Sequence, residues 1–135
     1  MLKACLDTNV LLSGITHSGI PSEIVNLALQ KKFRLITSTF ILEELERNLI
    51  KKFDVASGKA RKLIDRIANI ADMYDPKGTI KVIKECSSDN LILETAWIGR
   101  AKYLVTGDKR HLIPIKVFRN IKILGPSDFI ELIRR

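Results

Sequence analysis

Leu2-Lys3-Ala4-Cys5-Leu6-Asp7-Thr8-Asn9 is an apolar run that stops abruptly on an acid, with another apolar stretch beginning at Val10. The pattern returns near the other end of the chain, where Tyr103-Leu104-Val105-Thr106-Gly107 closes on Asp108. Both runs read as short strands too apolar for one face to meet water, as in a sheet covered on both sides. Between them the periodicity alternates between strand and helix. Arg34 to Thr37 reads as a strand, Thr79 to Ile83 as a third and Ile121 to Leu124 as a fifth. Pro21 suits the first turn of a helix running to about Lys31. Ser38 or Thr39 caps a helix from Phe40 to about Phe53, and a basic helix spans Ser57 to Met73 before the breaker cluster Asp75-Pro76-Lys77-Gly78. Asn90 to Ala101 reads as an apolar helix, and Ser127 as the cap of a last helix with Asp128 in its first turn. Strands separated by helices of this length imply an α/β fold with a parallel sheet.

Open parallel sheets place their sites beyond the carboxyl ends of the strands. Asp7 and Asp108 fall at such ends, and Asp89 follows the third expected strand at a helix start. Each has an ordinary alternative, since Asp7 can cap a turn, Asp89 a helix, and Asp108 a Gly-Asp turn. Three acids on one edge of one sheet point instead to a divalent cation, because converging carboxylates repel one another without one. Glu44 and Glu46 flank the apolar stripe Ile41, Leu42, Leu45 and Leu49 on opposite sides, so periodicity does not choose between them. Thr8, Asn9, Thr106 and Asn90 can support a metal shell or satisfy turn backbone. Lys109 and Arg110, directly after Asp108, are placed to meet a phosphate backbone. His17 and His111 read as solvated loop residues, so nothing suggests zinc.

The totals set the frame. At 135 residues, 46% of them apolar, the chain is expected to fold as one domain over residues 1–135. No apolar run approaches membrane-spanning length and no signal pattern opens the chain, so a cytoplasmic protein is expected. Two cysteines make no disulfide framework: Cys5 reads as a small buried hydrophobe and Cys86 as inert. A net charge of +8 favours a polyanion, nucleic acid first, although a solvated basic surface gives the same total.

At these residues the chain resembles the PIN-domain family, over nearly all of its length. Leu6-Asp7-Thr8-Asn9-Val10-Leu11-Leu12 is similar to the family's first-strand motif, and Ile41-Leu42-Glu43-Glu44-Leu45 to the helix carrying the second acid, which selects Glu44. Asp89 to Ala96 resembles the third motif, Val105 to Lys109 the fourth, and Ile123 to Ile130 the usual closing strand and helix. The resemblance lies nearest the toxin branch, the ribonucleases of VapBC-like toxin–antitoxin pairs. It implies a three-layer α/β/α sandwich around a mainly parallel sheet, here with five strands. It further implies RNA cleavage dependent on Mg²⁺ or Mn²⁺, one or two ions, held by Asp7, Glu44, Asp89 and Asp108. Homodimers and a protein antitoxin are implied as partners. Related sequences often carry further acids before the third motif, where this chain has Cys86-Ser87-Ser88, which weakens the case for a second ion. Two alternatives differ in class. One is an inactive PIN-like scaffold that binds RNA or protein. The other is a haloacid dehalogenase-type phosphatase, whose second acid would stand where this chain has Asn9.

Overall fold

In the computed structural model, which describes residues 1–83 and 87–135, the apolar runs at both ends of the chain lie side by side. Strand β1 (Lys3–Leu6) is followed by α1 (Thr8–Thr16), α2 (Ile20–Leu29), β2 (Arg34–Thr37), α3 (Thr39–Phe53), α4 (Ser57–Ile70) and β3 (Asp72–Met73). Then come α5 (Ser87–Ile98), β4 (Tyr103–Val105), the hairpin strands β5 (Val117–Phe118) and β6 (Ile121–Leu124), and α6 (Pro126–Ile133). The sheet runs β3-β2-β1-β4-β6-β5, with only β5 antiparallel. Ala4 pairs with both Leu35 and Tyr103, so β1 is central, and its alanine, cysteine and leucine are fully buried.

Chain order moves outward from β1 to β3 and then returns to β4. Right-handed crossovers therefore put α5 on the opposite face from α1 to α4. The packing agrees: α5 lies against β1, β2 and β4, whereas α1, α2, α3, α4 and α6 pack among themselves. This is the three-layer α/β/α sandwich expected. On the multi-helix side Phe33, Phe129 and Tyr103 meet edge to face, with Phe33 and Phe129 5.3 Å apart between ring centroids.

Four local readings are corrected. Thr79 to Ile83 forms no strand, because side chains of α5 take up the amides that a ladder would use. Glu94 accepts from the backbone N–H groups of Lys77, Gly78, Thr79 and Ile80, and Asn90 from those of Val82 and Ile83. The third strand is Asp72–Met73 instead: the helix expected to reach Met73 stops at Ile70, and Arg34 Nε holds Asp72 at 2.9 Å. The sheet gains a sixth strand from the β5–β6 hairpin, whose Arg119 and Asn120 both have positive φ, the conformation of a tight hairpin turn. Finally, α6 begins at Pro126 after Gly125, with no side-chain cap from Ser127. Ser38 does cap α3, accepting from Ile41 N–H at 3.2 Å. Cys86 lies outside the described residues.

Gly14 marks the closest approach of α1 to α2. A Cβ there would sit 2.4 Å from Val25 Cγ2 and 2.7 Å from the Pro21 carbonyl oxygen, and backbone does not give way easily. Gly14→Ala is expected to destabilise the protein by about 1–3 kcal/mol through overpacking, only partly offset by alanine's better helix propensity. Chemical denaturation would check this; an unchanged midpoint would mean that the two helices separate freely.

Candidate active site

The end of β1 meets the end of β4, and one acid stands at each. Asp7 is 4% exposed and serves as N-cap of α1, its Oδ1 accepting from Val10 N–H at 2.8 Å. Its Oδ2 accepts from the Thr106 hydroxyl, which in turn accepts from Asp108 N–H at 3.0 Å. Fully buried Thr106 thus ties the two acids into one unit. Burial pushes the Asp7 carboxyl up to about 6; the nearby charges of Asp108 and Asp89 add to this, and the hydrogen bonds from Thr106 and Val10 oppose it.

Asp108 behaves oppositely. Its partial burial raises the carboxyl, but N–H groups of His111 and Arg110, each 3.0 Å from Oδ1, outweigh that and leave it below the usual range. Asp89 lies in the first turn of α5, the helix end that favours negative charge. Glu44 on α3 accepts from the Thr8 hydroxyl at the start of α1. Glu46, on the other flank of the same stripe, pairs at 3.1 Å with Arg61 of α4. The tertiary structure thereby separates the two glutamates that periodicity left equivalent.

Asp7, Glu44, Asp89 and Asp108 all line one cleft of about 570 Å³, with Asn9 exposed on its wall. Lys109 and Arg110 are exposed on the turn beyond Asp108 and do not line the cleft. The Asn90 side chain grips residues 82 and 83, donating to the Ile83 carbonyl at 2.7 Å and accepting from both amides. It faces a neighbouring apolar hollow rather than the acids.

Sequence reasoning missed three groups. Arg47, Asn48 and Lys52 line the cleft from α3, at helical spacing from Glu44, so choosing Glu44 was enough to find them. His111 is no solvated loop residue, for its Nδ1 lies 3.3 Å from Asp89 and 3.5 Å from Asp108. These three residues offer ligand atoms within 4.8 Å of one another. Glu94, 1% exposed, is the clasp on residues 77 to 80 described above. Its acid within an apolar helix was the available signal.

Known proteins share this arrangement at the level of fold. The crystal structure of VapBC2 from Rickettsia felis bound to a DNA fragment from their promoter contains a chain that superposes with a TM-score of 0.63 at 17% identity. The match covers 92% of this chain and 98% of that one. A chain in the structure of FitAB bound to the IR36 DNA fragment gives 0.61 at 14% identity, covering 91% and 94%. No curated protein sequence matches. The family model described as PIN domain matches residues 3–110, from β1 through the turn after β4 that carries Asp108. The chain belongs to the PIN domain family.

Proposed function

We propose that the chain is a metal-dependent endoribonuclease, one nuclease domain over residues 1–135, and the toxin of a toxin–antitoxin pair. The observation that carries this reading is the convergence of Asp7, Glu44, Asp89 and Asp108 on one cleft in a chain of net charge +8. The donor set fits a hard divalent cation: carboxylate oxygens dominate it. A bound Mg²⁺ or Mn²⁺ ion supplies a Lewis acid that polarises a phosphodiester and lowers the pKa of an attacking water.

The chain's own groups do the rest. Thr106 and Val10 N–H orient Asp7, Thr8 orients Glu44, and the turn amides of Arg110 and His111 hold Asp108 ionised. Arg47 and Lys52 on one wall, with Lys109 and Arg110 beyond the opposite edge, bring positive charge to an RNA backbone. An antitoxin covering the cleft and a second copy of the chain are the partners in this reading. Support for the antitoxin comes from the VapBC2 and FitAB complexes, whose folds are similar. Among the described residues no helix is long and apolar enough to cross a membrane.

The test is a panel of structured and single-stranded RNAs incubated with Mn²⁺, Mg²⁺ or chelator, beside an Asp108→Asn control. Cleavage that needs the ion and falls by on the order of 10²-fold or more in the control is expected. RNA binding without cleavage, indifferent to chelator, would replace this reading with a binding scaffold.

A further inference from the structure

We propose that His111 is a nitrogen ligand of the ion held by Asp89 and Asp108, and that it tilts the site toward Mn²⁺ over Mg²⁺. The inference rests on the metal-dependent reading above and adds to it a donor of different chemistry. The turn after β4 sets the geometry: His111 N–H donates to Asp108 Oδ1 at 3.0 Å, which folds the residue back over the acid that precedes it by three positions. Its ring, three-quarters buried, then brings Nδ1 to 3.3 Å from Asp89 Oδ2 and 3.5 Å from Asp108 Oδ2.

Those separations set one imidazole nitrogen against both acids. Asp89, Asp108 and His111 offer ligand atoms that all lie within 4.8 Å of one another, a span that one ion can bridge. The three donors also come from two different elements, the first turn of α5 and the turn after β4, so the fold brings them together rather than one local motif. Chemistry supplies the selectivity. Mg²⁺ takes oxygen and dehydrates reluctantly, whereas first-row divalent ions accept an imidazole nitrogen in a mixed shell.

The experiment uses tag-free full-length protein with Mn²⁺ itself as probe. Free Mn²⁺ measured by electron paramagnetic resonance gives its affinity, competition gives that of Mg²⁺, and pulsed spectra report nitrogen coupled to the bound ion. The chain has two histidines, His17 and His111, so assignment needs few variants. Nitrogen coupling is expected in the wild type, changing isotope signature when histidine is ¹⁵N-labelled and persisting in His17→Gln. His111→Gln should lose it, with Mn²⁺ affinity falling roughly tenfold or more and Mg²⁺ affinity changing much less. Should His111→Gln fail to fold, labelled wild type and His17→Gln decide the matter by themselves. Mn²⁺ bound at the acids without nitrogen coupling would overturn the role of His111 and leave the metal-dependent reading standing. A wild type that binds no Mn²⁺ would overturn both.

Discussion

Asp7→Asn is expected to abolish metal-dependent RNA cleavage and, in the same protein, to raise thermal stability at neutral pH. The loss of activity follows from removing the most buried acid of the cleft, with an expected drop on the order of 10³-fold or more. The gain in stability follows from linkage. Asp7 rises from an ordinary 3.8 to about 6 in the folded protein, so folding binds a proton that the unfolded chain releases. Well below pH 3.8 the carboxyl is neutral in both states and costs nothing. As pH rises from 3.8 to about 6, the unfolded chain ionises while the fold keeps its proton, and stability falls by about 3 kcal/mol across that window. Asparagine cannot ionise and still accepts from Val10 N–H, although the Thr106 hydroxyl loses its carboxylate acceptor. The net gain should therefore be about 1–3 kcal/mol at pH 7.5 and should vanish near pH 4. Thermal melts in chelator across this range would show it. A variant less stable than wild type at pH 7.5, or a gain independent of pH, would mean that Asp7 is not a buried charge awaiting a cation. Added Mn²⁺ should stabilise the wild type and not the variant, since only the wild type gains from binding.

Glu94→Ala should be the most destabilising single change among the acids, for the opposite reason. Burial alone would raise this carboxyl, but the amides of Ile80, Lys77 and Thr79 and the Thr79 hydroxyl outweigh burial and bring it below its usual range. Its contribution is therefore fully present above about pH 4.5 and lost as pH falls through its lowered folded value, the reverse of Asp7. Alanine leaves the amides of residues 77 to 80 without their acceptor. The exposed ones recover water, but Ile80 is buried, and a cost of about 3 kcal/mol or more is expected. Glu94→Gln should fall between, because one amide oxygen replaces two carboxylate oxygens. Hydrogen exchange gives an independent readout, as protection of residues 77 to 80 should disappear in Glu94→Ala. Unchanged exchange at these amides would refute the clasp, whatever the melting temperature did.

The amino-acid sequence by itself determined the class of fold and its layering. Apolar runs as short as Ala4-Cys5-Leu6 and Tyr103-Leu104-Val105, separated by helical periodicity, have few arrangements open to them besides a covered parallel sheet. It also marked Asp7, Asp89 and Asp108, because each interrupts or opens an apolar segment where solvation does not explain a carboxylate. Tertiary structure decided what depends on partners distant in the chain. Thr79 to Ile83 has the composition of a strand, yet its amides are taken by Glu94 and Asn90, and local propensity carries no record of that competition. Glu44 and Glu46 are equivalent by periodicity and differ only because α3 meets α1 on one side and Arg61 of α4 on the other. His111 looks like loop polarity until the sheet order brings α5 beside the turn after β4 and sets Asp89 against its ring. Burial patterns are periodic and are written locally. Hydrogen-bond and ligand partners are chosen across the fold, and only its geometry names them.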